Sequence, residues 1–214
     1  MHTNHKYFLG ISVTIDNSIY NKGKLNQVKE VKIMPSNNRL PKIALVIAPE
    51  EFRDEEFKMP YQTLNDNGIA TVIASTQTGK ATGMLGYSVE ATSLIKDLKA
   101  SELDGIVIVG GMGSPKFLWD NKELHKLLNE LNLSKKTISA ICLSTVCLAK
   151  AGLLNNVKAT VWPSDDAIGE LKAAKAIYLD QNVVEDGNIV TANGPQSAQE
   201  FADVVLKHLN KVKV

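Results

Sequence analysis

Four short segments of this chain are apolar almost from end to end: Lys42–Ala48 (KIALVIA), Ile69–Ala74 (IATVIA), Gly105–Val109 (GIVIV) and Thr137–Ile141 (TISAI). A strand with one wet face alternates apolar and polar residues, so a continuous run of this length belongs to a strand covered on both faces. Between and after these runs the apolar spacing becomes helical. Phe52, Phe57, Met59, Tyr61 and Leu64 predict a helix over 52–67 that stops at Gly68. Leu118, Leu124, Leu127, Leu128 and Leu131 predict another over Pro115–Leu131. Short helices are expected at Ser144–Lys150, closed by Gly152, and near Ser164–Ala174, with a closing helix over Ser197–Lys211. Short strands are predicted at Val157–Val161, Ile177–Leu179 and Ile189–Ala192, and Glu185-Asp-Gly-Asn188 reads as a hairpin turn. Buried strands alternating with helices imply an α/β fold with a mostly parallel central sheet between two helical layers. Chemistry in such sheets sits outside the carboxyl ends of the strands.

Composition narrows the function. Twenty-four basic against twenty-three acidic side chains leave a charge of +1 across 214 residues, with no basic footprint for nucleic acid or an anionic membrane. No run approaches the eighteen apolar residues of a spanning helix. Tyr7–Ile15 is mildly apolar but leads into Asp16 and Asn17, not into a small-residue cleavage site. The two cysteines, Cys142 and Cys147, would lie about 140° apart on a helix, so no disulfide is expected and a cytoplasmic setting fits. Residues 1–41 form an Asn- and Lys-rich arm whose partly apolar runs, Phe8–Ile15 and Val28–Met34, could make a hairpin. Turn chemistry at Pro35–Pro41 places the boundary there, leaving a domain at 42–214.

The predicted strand Thr137–Ile141 runs directly into Cys142 and then into a helix, as Ala140-Ile-Cys-Leu-Ser144. A nucleophile on so sharp a turn needs small residues two positions before and after it, and Ala140 and Ser144 supply them. A helix start beneath the sulfur favours the thiolate, and the Leu143 and Ser144 amides can donate to an anion. The competing reading is a small hydrophobe buried at a strand end.

Ser139-Ala-Ile-Cys-Leu-Ser144 resembles the nucleophile elbow of the DJ-1/PfpI superfamily. Val107-Ile-Val-Gly-Gly-Met-Gly113 is similar to that superfamily's double-glycine strand end, and Phe52-Arg-Asp-Glu-Glu-Phe-Lys-Met-Pro60 to its acidic helix start. Ala151-Gly-Leu-Leu154 and Asp186-Gly-Asn188 also match its pattern, so the resemblance spans roughly 42–210. It implies a flavodoxin-like three-layer sandwich, the class I glutamine-amidotransferase-like fold, and a homodimer acting on a small-molecule substrate without metal or cofactor. It places Glu56 beside Cys142 as proton carrier, gives the amides of Gly110 and Gly111 an oxyanion to face, and puts Leu143 and Trp162 at the pocket. A hydrogen bond from a protonated Glu56 would add to the helix start in holding the thiol below the ordinary ~8.5.

The departures shape the expected chemistry. Peptidase-like members carry a histidine where this chain has Leu143, and their second acid falls at Lys116; other members have a histidine at Trp162. His2, His5, His125 and His208 are not spaced to serve Cys142, and the last two read as solvated helix positions beside lysines. No cluster has metal-ligand spacing, and Gly110-Gly-Met-Gly113 is not a nucleotide loop. Glyoxalase- or deglycase-like thiol chemistry on small reactive carbonyls leads. A redox sensor, a cysteine peptidase or amidase disfavoured by Leu143, and a binding relic of the fold are the alternatives.

Overall fold

The four apolar runs form the middle of one sheet. In the computed structural model, which describes residues 7–8, 11–12 and 40–211, the chain divides into residues 1–38 and the unit Arg39–Val214. In the first, β1 (Tyr7–Phe8) pairs antiparallel with β2 (Ile11–Ser12), Phe8 opposite Ile11. The second apolar run of the arm, Val28–Met34, lies outside the described residues.

The larger unit is built on seven strands in the order β13-β14-β10-β9-β3-β5-β8. These are β3 (Lys42–Val46), β5 (Ala70–Ser75), β8 (Ser93–Leu94), β9 (Gly105–Ile108), β10 (Thr137–Ile141), β13 (Val183–Asp186) and β14 (Ile189–Ala192). Every neighbouring pair is parallel except the β13–β14 hairpin, which turns at Gly187 with φ 59°. All five residues of β10 and all four of β9 are buried, as continuous apolar runs demand. The fold is therefore the mostly parallel, flavodoxin-like sandwich of the sequence reading. From β3 the chain steps outward to β5, whereas from β9 it steps the opposite way to β10. Right-handed crossovers then put α1 (Asp54–Asp66) and α3 (Lys122–Leu133) on opposite faces. The switch in direction falls between β3 and β9, and the loops leaving those two strands diverge there to open a crevice.

Three elements depart from expectation. The helix predicted over Pro115–Leu131 is two: α2 (Gly113–Phe117) and α3. Asn121 restarts the chain, because its side chain accepts the Leu124 N–H at 2.9 Å as an N-cap. The strand expected at Val157–Val161 shrinks to β11 (Lys158–Ala159), which pairs with β12 (Ile177–Tyr178) outside the central sheet. Its continuation is diverted when the Thr160 N–H donates to Thr191 Oγ1 at 2.9 Å. A second sheet of three strands, β4 (Glu50–Phe52), β6 (Gly79–Gly83) and β7 (Ser88–Ala91), has no counterpart in the apolar pattern. The remaining helices, α4 (Thr145–Lys150), α5 (Asp165–Ala173) and α6 (Ala198–Lys211), fall within a residue of their predicted bounds.

Among the described residues the core lies in the larger unit, with Phe52, Phe57, Phe201, Ile106 and Leu118 among its fully buried side chains. A chain beginning at Arg39 should therefore fold alone. Its thermal melt should stay cooperative, with Tm within about 5 °C of the full chain, a shift worth roughly 1–2 kcal/mol; loss of the transition would contradict this.

Candidate active site

Cys142 takes φ 59°, left-handed and costly for a residue with a Cβ. The conformation follows from where the chain must go. Ile141 ends β10 fully extended, Cys142–Ser144 turn at once into a short 3-10 segment, and α4 begins at Thr145. The elbow is tied down at its small residue. Ser144 Oγ donates to the Val109 carbonyl at 2.7 Å and shares a 2.8 Å hydrogen bond with Ser114 Oγ. A hydroxyl has one proton, so Ser114 is the donor to Ser144. The Leu143 carbonyl accepts from Trp119 Nε1 at 2.8 Å, and the Trp119 carbonyl lies 2.8 Å from His125 Nε2. Trp119 is thus an anchor of the elbow and does not line the pocket.

Glu56 reaches the sulfur from the other side of the crevice. It is the third residue of α1, in a first turn of three acids, Asp54, Glu55 and Glu56, that suits the positive helix end. Its side chain is wholly buried. Oε2 accepts the Gly110 N–H at 3.0 Å. Oε1 is buried with no hydrogen-bond partner, and the Cys142 thiol lies beside the carboxyl. A bare carboxylate oxygen in that position would carry the full cost of desolvation, which a protonated carboxyl avoids.

The glycines are what allow the three groups to meet. A Cβ on Gly110 would lie 2.5 Å from Glu56 Oε2 and 2.6 Å from the Cys142 Cβ. One on Gly111, with φ 107°, would lie 2.3 Å from the Glu51 carbonyl and 2.5 Å from the Arg53 nitrogen. The expected pairing of Gly110 and Gly111 as oxyanion donors is corrected in one respect. The Gly110 amide is spent on Glu56, and the amides acting on the sulfur are those of Leu143 and Gly111.

Electrostatics also depart from the sequence reading. Burial pushes the Glu56 carboxyl up to about 8, against the opposing pull of the thiol and the Gly110 amide. Burial, then the adjacent Glu56 charge, pushes the Cys142 thiol up as well, with the Leu143 and Gly111 amides opposing. The expected low thiol pKa presumed a helix start without the desolvation that comes with it. At neutral pH the pair keeps its protons, and the first to leave does so near 8, creating one charge that thiol and carboxyl share. Cys147, fully buried behind the elbow, is raised to about 12 by burial and contacts Ser114; it is core.

A cavity of about 120 Å³ opens at the sulfur, lined by Cys142, Glu56, Gly111, Leu143 and Trp162 together with Arg53, Met84, Met112 and Pro195. It gathers every predicted site residue except Gly110, which lies behind Glu56. Trp162 closes one side over Gly194, where a Cβ would come within 2.8 Å of its ring. Arg53 is engaged by Glu55 through hydrogen bonds of 2.8 and 3.0 Å, so its charge is largely met. Among the described residues no histidine lines this cavity. The expectation of solvated helix positions for His125 and His208 fails: both are buried, on the Trp119 carbonyl and on Glu185 Oε2 at 2.7 Å. Lys116 is drawn away by Glu50. No group of described residues could hold a metal, and no described helix is long and apolar enough to cross a membrane.

The profile of the DJ-1/PfpI family matches residues 41–208. The chain belongs to the DJ-1/PfpI family. An uncharacterized protein of Methanocaldococcus jannaschii is 45% identical over 175 residues, 82% of this chain and 85% of that protein. Deglycase PfpI of Pyrococcus furiosus is 31% identical over 71% of this chain and 89% of its own length. The crystal structure of a ThiJ/PfpI domain protein from Brachyspira murdochii superposes with a TM-score of 0.77 at 32% identity, covering 81% of this chain and 98% of that one. As a DJ-1/PfpI protein the chain carries the cysteine elbow and acidic first turn but no histidine beside the sulfur, because Leu143 holds that position. The sequence gives no role to Arg53, Met84, Met112 or Pro195: Arg53 and Met112 lie in quoted motifs without being singled out, and Met84 and Pro195 lie in none.

The raised Glu56 carboxyl has a signed consequence. The folded chain holds this proton from about 4.5, where an unfolded Glu releases it, up to about 8. Its contribution to stability is therefore fully present below 4.5 and lost as pH rises to 8, by at most about 1.4 kcal/mol per pH unit. Urea unfolding at pH 5, 6.5 and 8 should show wild type losing stability relative to Glu56→Gln; a constant difference would contradict the buried protonated carboxyl.

Proposed function

We propose that this protein is a cysteine-dependent enzyme acting on small reactive carbonyls, in the manner of a glyoxalase or deglycase. The observation that carries the reading is the buried Glu56 carboxyl beside the Cys142 thiol, both lining one open cavity. A thiol alone can add to an aldehyde, but turnover needs a proton carrier within reach of the same carbon. In the form with Glu56 ionised, reached as pH nears 8, the Cys142 sulfur adds to the aldehyde carbon of a 2-oxoaldehyde and the thiol proton passes to the carbonyl oxygen, giving a hemithioacetal. The Gly111 and Leu143 amides, aimed at the sulfur, favour its charged form as it attacks. Glu56 as carboxylate then removes the hydrogen from that carbon and returns a proton to the neighbouring carbonyl carbon. The result is a 2-hydroxy thioester, isomeric with the hemithioacetal. Water cleaves the carbon–sulfur bond, releasing the 2-hydroxy acid and restoring the thiol. No external oxidant or reductant enters. Relatives named deglycase, at about 30% identity, support the same class. A Cys-His peptidase mechanism has no base among the described lining residues.

Methylglyoxal should be converted to lactate by the wild-type chain. Cys142→Ser should abolish turnover, and Glu56→Gln should lower kcat by about 10²–10⁴-fold while leaving the fold intact. No lactate from wild type, or equal rates from Cys142→Ser, would overturn the assignment. If peroxide instead adds two oxygens to Cys142 while no carbonyl is turned over, the redox-sensor reading takes its place.

A further inference from the structure

The first turn of α1 has a second buried acid. Asp54 is 2% exposed, and it does not point at the sulfur. Its Oδ2 accepts the Leu85 N–H at 2.9 Å and its Oδ1 the Tyr87 N–H at 2.9 Å. Both amides belong to the turn that joins β6 to β7, in which Thr82 stands opposite Ser88. The turn is held from three more directions. Met84 N–H donates to the Phe52 carbonyl at 2.9 Å and Gly83 N–H to the Tyr87 carbonyl at 2.7 Å. The Tyr87 ring lies 6.0 Å from Phe57 and under Lys58 Nζ at 4.3 Å. Gly83 leaves the space Asp54 occupies, since a Cβ there would fall 2.4 Å from Oδ2.

A turn strapped this firmly has one side chain over the cavity. Met84 lines it, together with Trp162 and Met112, and is itself 40% exposed. These three are among only seven exposed large hydrophobic side chains in the described residues. Met84 therefore serves no core. A flexible thioether over a cavity of about 120 Å³, the share of roughly four waters, limits what can approach Cys142.

We propose that the turn Gly83–Tyr87, strapped to α1 by Asp54, fixes the width of the thiol cavity, and that Met84 is the residue that sets the size of carbonyl admitted. On the proposed carbonyl chemistry, the native chain takes short aliphatic 2-oxoaldehydes and excludes aryl-substituted ones. Asp54 is a positioning residue for this wall, while Glu56, two residues on, is left for the chemistry.

Two measurements test this, one of them independent of turnover. Cys142 is alkylated by iodoacetamide and by the bulkier N-phenylmaleimide in a Cys147→Ala background, so that one thiol reports. Met84→Ala should raise the N-phenylmaleimide rate about tenfold, the scale of a few methylenes in a pocket, and leave the iodoacetamide rate nearly unchanged. Asp54→Asn, which keeps one acceptor and loses the other, should shift the ratio in the same direction with a cooperative melt retained. In parallel, Met84→Ala should raise kcat/KM for phenylglyoxal relative to that for methylglyoxal, with the gain appearing in KM for the aryl substrate. An unchanged ratio of the two alkylation rates, or an equal rise in both, overturns the size limit. A shifted ratio with no carbonyl turnover in any variant leaves the size limit standing and removes the carbonyl chemistry.

Discussion

The arrangement of this protein depends on one buried contact: the Glu56 carboxyl, held by the Gly110 amide on one oxygen, beside the Cys142 thiol. Two acids in a dry site cannot both ionise. The fold therefore has to keep at least one proton between them, and it does so with parts drawn from three separate strand ends. The β10 elbow presents the sulfur, the double glycine after β9 lets the backbone come within contact of both groups, and α1 delivers the carboxyl. Each part would be ordinary alone. Together they create a single shared charge that the Leu143 and Gly111 amides draw toward sulfur.

The sheet topology makes that meeting geometrically inexpensive. Because the chain reverses its direction of travel between β3 and β9, the loops leaving them separate and leave a crevice at the carboxyl ends. Cys142 enters it from the neighbouring strand. The strain of a left-handed cysteine, about 1–3 kcal/mol, is then opposed by bonds that only this path permits: Ser144 to Val109, Ser114 to Ser144, and Trp119 to Leu143. The small sheet β4-β6-β7 serves the same end from the side, since it suspends Met84 over the opening.

Much of this was legible in the sequence, for reasons that can be named. KIALVIA, IATVIA, GIVIV and TISAI read as strands because burial on both faces leaves no room for a polar alternation. Ala140 and Ser144 betrayed the elbow because only small residues fit there. The strands β6 and β7 stayed hidden because GKATG and SVEA carry little apolar signal; ladder bonds to each other and to β4 hold them, with Asp54 fixing the turn between. His125 and His208 read as solvated because their neighbours are lysines, while tertiary packing turns the imidazoles inward. The thiol was expected to be acidic because local sequence shows the helix start but not the depth of burial. Desolvation, a property of the whole fold, reverses the sign.

The shared proton can be observed directly. Infrared difference spectra between the wild-type chain and Glu56→Gln, recorded across pH 6 to 9, isolate the carbonyl band of a protonated Glu56. That band should be present at pH 6.5 and disappear as the pH passes about 8, with a shift on Cys142→Ser because its neighbour changes from thiol to hydroxyl. A Glu56 already ionised at pH 6.5, giving only carboxylate bands, would contradict the buried proton on which the site is built.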